Sequence, residues 1–288
     1  MNYFSQGIKD IIKQALREDI GKRDITTTAI IPKHKYAKAI LLAKENCVIC
    51  GLGIAREVFK IHDKKIKFNS QVPDGQKIKK GKIIAYISGR AQSILTAERV
   101  ALNFLSLLSG VATKTRAYSD KVKPYKVKIL DTRKTIPALR ELEKYAVIIG
   151  GGYNHRLRLD EMVLIKDNHL KVQKSKFPAK VGSAFGGKIK NLRQRIPKNI
   201  KIEIEVKNLR EFKEVLEIKP DIIMLDNMKV GDIKKAVLLR KAAVSKIEVS
   251  GNVNLNNVRK IAKTGVDMIS VGALTHSVKA TDISLEIL

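Results

Sequence analysis

Arg133, Lys134, His155, Arg156 and Lys166 are crowded into one short region that also carries the triple glycine Gly150–Gly152. Several of these cations sit where apolar, strand-like runs end: VKIL closes in Asp131 and then Arg133, and MVLI closes in Lys166. Strand ends are rigid and, in an α/β barrel, face a shared mouth, so cations placed there suit a small polyanion. The pattern recurs downstream, where IEIE carries Glu205, IIML ends in Asp226, IEV ends in Ser250-Gly251 and MISV ends in Gly272. A charged group closing an apolar strand is costly to bury unless it is paired or used. An ion pair at a barrel rim explains any one of them; several in register call for a common purpose.

Within this cationic set Glu205 and Asp226 are the acids. Carboxylates there suit Mg²⁺ bridging a pyrophosphate, or the hydroxyls of a ribose, the alternative being a partner for Lys166 or Lys134. The two glycine-bearing segments SGNVN (Ser250, Gly251 and Asn252 onward) and VGALTH (Gly272 and Ala273 within it) follow the last two strand-like runs. Backbone N–H groups without an intervening side chain suit a phosphate, and paired loops after the final strands are the usual barrel phosphate position. Asn154-His155-Arg156 behind three glycines suggests close backbone approach to something. His169 and His276 fit equally well as supporting or capping residues.

The elements that must position these residues can be read from periodicity. Residues 8–20 space Ile8, Ile12 and Leu16 as a helix with Gly21 beyond it. Strand-like runs AKAILLAK, CVICGL, IKFNS and KIIAYIS follow, with turn signals at Asp74-Gly75 and Lys80-Gly81, and read as a small α+β domain. A long helix is predicted from about Ser93 to Ser109, with Gly110 at its C′ position. After it, VKILD, MVLIK, IEIEV, IIMLD, IEVSG and MISVG alternate with helical patterns, one of them opened by Asn208 as N-cap with Glu211 three residues on. Alternating β and α units imply a parallel sheet, because parallel strands need crossovers. Six strands are strong and AVIIG is a candidate seventh, so a closed or nearly closed barrel is favoured. The fold class is thus α/β: an N-terminal α+β sandwich domain over 1–109, a barrel of about seven parallel strands over 110–275, and a segment 276–288 expected to return to the first domain.

The chain has 288 residues and a net charge of +29, which raises nucleic acid as a partner. The lysines are spread over nearly the whole chain among Ile and Asn, which a compositional bias explains. The stretch 171–201 is rich in cations and has no Asp or Glu; it reads as a solvated helix and its loops, or as a basic arm. Only Phe177 and Phe185 interleave it, which disfavours stacking on single strands. Cys47 and Cys50 form a lone C-x-x-C in a strand-like run and read as buried thiols in a reducing compartment. No apolar run reaches the ~18 residues of a membrane span and no signal pattern opens the chain, so a soluble, cytoplasmic protein is expected.

These segments resemble the quinolinate phosphoribosyltransferase family, also called nicotinate-nucleotide pyrophosphorylase (carboxylating). The resemblance is carried by TAERVALNFLSLLSG at 96–110, DTRKTIPALR at 131–140, KYAVIIGGGYNHRL at 144–157 and LIKDNH at 164–169, and by EIEV, IIMLDNM, SGNVN and VGALTHS further on. It implies a two-domain homodimer that transfers phosphoribose from PRPP to quinolinate with Mg²⁺, giving nicotinate mononucleotide, CO₂ and pyrophosphate. By position it implies that Arg133, His155, Arg156 and Lys166 hold the two quinolinate carboxylates. Lys134, Glu205 and Asp226 would carry the catalytic chemistry at PRPP, with Glu205 and Asp226 as metal ligands. Ser250, Gly251, Asn252, Gly272 and Ala273 would take the 5′-phosphate, and Arg99 would reach into the partner subunit's site. From residue pattern alone Arg99 is a surface arginine. Ala138, where the family commonly has glycine, and the charged Arg158, Asp160 and Glu161 depart from the pattern. The competing readings are a related barrel enzyme with another acceptor base and a nucleic-acid-binding protein on an inactive scaffold.

Overall fold

The computed structural model describes residues 6–172, 191–240 and 245–288. Most of the basic stretch, residues 173–190, lies outside the described residues. In chain order the elements begin with α1 (Gln6–Ile20), α2 (Ile25–Ile30), β1 (Tyr36–Ala43), β2 (Cys47–Val48), α3 (Leu52–His62), β3 (Lys67–Ser70), β4 (Lys77–Ile78) and β5 (Ile83–Arg90). The long helix α4 (Ala91–Val122) leads to β6 (Lys128–Leu130), α5 (Arg140–Ile149), β7 (Met162–Ile165) and α6 (Asp167–Val172). Then follow β8 (Lys201–Val206), α7 (Leu209–Ile218), β9 (Ile222–Asp226), α8 (Val230–Arg240), β10 (Lys246–Ser250), α9 (Val258–Ala262), β11 (Met268–Ser270), α10 (Ala273–His276) and β12 (Ile283–Ile287).

One compact unit comprises the chain up to Arg116, Pro137–Gly151 and Val278–Leu288. Its four-stranded antiparallel sheet has the order β12-β1-β5-β3, so the C-terminal strand lies beside β1, with Ala39 opposite Ile287. The turn signals hold, with Gly75 at φ +90 and Gly81 at φ +84. Cys47 and Cys50 are buried free thiols, and burial pushes the Cys47 thiol up to about 11.

Helix α4 does not end at Ser109; it continues to Val122. Gly110 is there for packing and not as a stop, because a Cβ on it would come within 2.4 Å of the Lys279 carbonyl oxygen. Contrary to the reading of apolar runs, α4 is long and apolar enough to cross a membrane by length and composition. However, 61% of its most apolar window is buried, and Ile94, Val100, Leu105 and Leu108 are core residues. An interior helix passes the same test because both environments demand apolar side chains on most faces.

The candidate strand AVIIG is helical instead and closes α5. Its apolar residues fall at helical spacing with Leu142, Ala146 and Val147 buried, and Glu141 and Glu143 sit in the first turn, where they complement the helix dipole. Gly150, directly after it, serves helix packing too: a Cβ on Gly150 would lie 2.5 Å from Thr115 Cβ and 2.6 Å from the Ala112 carbonyl oxygen.

The other unit, Ala117–Ile136 and Gly152–Ser277, holds a parallel sheet of six strands in the order β6-β11-β10-β9-β8-β7. The edge strands β6 and β7 do not pair, and a single parallel bridge from Leu130 to Tyr153 extends the β6 edge. Among the described residues the parallel sheet has six strands, because AVIIG, the candidate seventh, belongs to α5 and Tyr153 beyond it contributes a single bridge. Helix α7 is capped as its sequence predicts: Glu211 N–H donates to Asn208 Oδ1 at 3.0 Å, and the Glu211 carboxylate accepts from Lys207 N–H at 2.7 Å. Strand alternation then decides which side chains enter the interior, since residues two apart share a face.

Candidate active site

A cavity of about 960 Å³ opens at the C-terminal ends of these strands. Its wall is built from the segments after β6, β7, β10 and β11 and from the end of β9, the position at which barrel loops place chemistry. Arg133 and Lys134 enter from the segment after β6, His155 and Arg156 from the loop after Tyr153, and Lys166 from the end of β7. Opposite them lie Asp226 and Asn227, the loop Ser250–Asn252, and Gly272 and Ala273.

Two predicted residues are absent from this lining. Glu205 is 8% exposed and stands behind Lys166, whose ammonium Nζ donates to Glu205 Oε2 at 2.5 Å. Arg99 is an exposed residue of α4, in the first unit.

The cations are close enough to oppose one another. Burial lowers the Arg156 guanidinium below its usual range, and the nearby Arg133 charge lowers it further. Two guanidiniums held together lose that repulsion when a carboxylate enters between them, which favours a dianion over a neutral ligand. Arg156 is steadied by Nη1 donating to the Met162 carbonyl oxygen at 2.8 Å. Thr275 Oγ1 donates to the Lys134 carbonyl at 2.5 Å and Lys134 N–H donates to Thr132 Oγ1 at 3.1 Å, fixing the backbone that presents Lys134.

The glycine loops are shaped by their neighbours. Gly251 has φ +88, and a Cβ on it would fall 2.4 Å from Asn227 Oδ1. A Cβ on Gly272 would lie 3.0 Å from His276 Nε2 and 3.3 Å from Lys134 Cδ. Asn227 is itself at φ +54 and Asn252 at φ +51, a region Asn tolerates better than most residues.

Beneath the mouth lies a carboxylate pair that pattern reading passed over. Glu203 and Glu248 are fully buried, and their oxygens lie within 4.8 Å of each other and of a His155 ring nitrogen. Burial pushes Glu248 up to about 8, helped by the Glu203 charge, and burial likewise raises Glu203. The pair therefore retains a proton near neutrality. The signal was available: Glu203 is two residues from Glu205 on β8 and Glu248 two from Ser250 on β10, so each shares the inward face of its predicted neighbour. Asn227, also missed, follows Asp226 directly.

Two family models match the chain: the quinolinate phosphoribosyl transferase N-terminal domain over residues 24–109 and its C-terminal domain over 111–286. The chain belongs to the quinolinate phosphoribosyltransferase family. A probable nicotinate-nucleotide pyrophosphorylase (carboxylating) of Methanocaldococcus jannaschii is 44% identical, with 96% of each chain covered. A quinolinate phosphoribosyltransferase (decarboxylating) of Nicotiana tabacum is 42% identical over 97% of this chain and 82% of its own. Among solved structures, the nicotinate-nucleotide pyrophosphorylase of Ehrlichia chaffeensis superposes with a TM-score of 0.89 at 42% identity, covering 97% of this chain and 98% of that one. Ala138 is held at φ +66, a backbone conformation that suits glycine better than alanine.

Proposed function

We propose that this chain transfers phosphoribose from PRPP to quinolinate with decarboxylation, giving nicotinate mononucleotide, CO₂ and pyrophosphate. The observation that carries the reading is the convergence of Arg133, Lys134, Arg156 and Lys166 with two glycine loops on a single cavity of a quinolinate phosphoribosyltransferase. Quinolinate is a dianion and PRPP carries more charge, so both substrates need fixed cations. Arg133, Arg156 and Lys166, with His155 beside them, take the quinolinate carboxylates. Lys134 takes PRPP, and the Ser250–Asn252 and Gly272–Ala273 segments take the 5′-phosphate through backbone N–H groups.

Asp226 lines the cavity and offers a carboxylate to a hard cation, whereas Glu205, one strand over on β8, is held by Lys166 Nζ outside the lining and would have to leave that pair to join Asp226. When bound, Mg²⁺ would neutralise the pyrophosphate as it departs. The carboxylate of Asp226, on the cavity wall, would also stabilise electrostatically the positive charge that develops on the ribosyl carbon. The protein need supply no electron sink for decarboxylation, because the cationic alkylated ring nitrogen stabilises the electron pair left on the adjacent carbon as CO₂ leaves, and that carbon then takes up a proton from water. Its residues hold the ring and the anions in place while that happens. The working unit is a homodimer in which Arg99 reaches the partner's site.

The test is a product assay with purified protein, quinolinate, PRPP and Mg²⁺, following nicotinate mononucleotide and CO₂. Product that requires both PRPP and Mg²⁺ is the expected result. Folded protein that binds PRPP and yields no product would move the reading to another acceptor base.

A further inference from the structure

We infer that His155 is a positioning residue, whose neutral imidazole fastens the Arg156 backbone to the buried Glu203–Glu248 pair and offers no ring nitrogen to substrate. The inference rests on the reading of the mouth as the quinolinate site and reassigns one member of its cation set.

Hydrogen-bond direction fixes the state of the ring. The main-chain N–H of Arg156 donates to His155 Nδ1 at 2.9 Å. A nitrogen that accepts carries no proton, so in the neutral ring the proton sits on Nε2. That N–H lies 3.0 Å from Glu203 Oε2 and donates to it. Glu248 Oε2 stands behind at 3.7 Å, and Glu248 is held in turn by the Ser270 hydroxyl. His155 N–H donates to Asp131 Oδ1 at 2.9 Å, so the residue is tied down at three atoms without any ligand. Its side chain is only 8% exposed.

The location gives this strut a purpose. His155 and Arg156 line both the mouth and a second cavity, of about 820 Å³, among the N-terminal ends of the strands. They form the partition between the two spaces. Arg156 must keep its guanidinium in the mouth although the wall behind it is hollow. The imidazole bond to its own N–H and the guanidinium bond to the Met162 carbonyl oxygen hold that wall from two sides. Quinolinate recognition then falls to Arg133, Arg156 and Lys166, and His155 determines where Arg156 stands.

The test uses the full-length protein with ¹⁵N-labelled histidine and long-range proton–nitrogen spectra, with His155 assigned by loss of its signals in His155→Gln. The expected result is the Nε2–H tautomer, preserved on saturation with quinolinate. A ring protonated on Nδ1 or on both nitrogens, a metal-ligated ring, or a ring that changes state when quinolinate binds would overturn the inference. Kinetics supply an independent arm. Glu203→Ala should raise KM for quinolinate roughly 10- to 100-fold, with KM for PRPP little changed, as expected for a displaced binding group. Glu203→Gln should recover most of that loss, because its Oε1 accepts from Nε2–H and its amide N–H faces Glu248. Equal losses for both substrates, or no recovery in Gln, would refute it. If the wild type makes no product from quinolinate, the functional reading fails while the tautomer measurement still decides the role of His155.

Discussion

Gly251→Ala tests whether the glycine loop after β10 is held as the structure shows. Gly251 has φ +88, where an L residue is strained by about 1–3 kcal/mol. Its new Cβ would arrive 2.4 Å from Asn227 Oδ1, which no real Cβ contact permits, so the Asn227 side chain must leave. Leaving breaks the 3.0 Å bond that Asn227 Nδ2 donates to Asp226 Oδ2, worth about 1 kcal/mol at this solvent-exposed position. The sum is roughly 2–4 kcal/mol, which lowers the melting temperature of a unit this size by roughly 5–15 °C. The same displacement moves the loop and Asp226, so KM for PRPP should rise by about an order of magnitude, 1.4 kcal/mol being tenfold, while KM for quinolinate holds. Thermal melting and steady-state kinetics with each substrate varied read both effects. Adding Asn227→Gly removes the obstructing side chain and also suits φ +54, so the double variant should be more stable than Gly251→Ala alone. A single variant with unchanged melting and KM, or a double variant no better than the single, would refute the loop geometry.

Ala138→Gly should stabilise the protein by about 1 kcal/mol, since Ala138 is held at φ +66 without the freedom glycine has there; chemical denaturation measures it. Glu248 provides a pH test. Its folded-state carboxyl is raised from 4.5 to about 8 by burial, so its stabilising contribution is whole below the unfolded value and is lost as pH rises through about 8. Glu248→Gln should remove that part of the decline in melting temperature between those limits; an identical profile would discount the buried pair. Arg99→Ala and Lys166→Ala should each be nearly inactive and should recover activity when mixed, because one site of the heterodimer is then whole. Verified mixed dimers without activity would exclude a shared site.

The gap between reading and structure follows the range of the forces involved. Helix α7 with its Asn208 cap, the turns at Gly75 and Gly81, and the six strands were legible because each rests on neighbours within a few residues. AVIIG misled because a short apolar run suits a buried strand and a helix equally, and the acids of its first turn settle the matter only in context. Gly110 resembled a helix stop until the chain near Lys279, far away in sequence, was found against it.

The site divides along the same line. The residue types at the strand ends, read along the chain, determined the charge of the mouth and the order in which Arg133, Arg156, Lys166, Asp226 and the glycine loops reach it. A strand's end is a local property, and parallel strands carry all their ends to one side. Only the tertiary structure decided that Glu205 pairs with Lys166, that Gly251 is packed against Asn227, and that His155 turns inward to Glu203 and Glu248. Those facts depend on distances between strands remote in sequence, set by how the sheet curls around its interior, and no spacing along a chain encodes them.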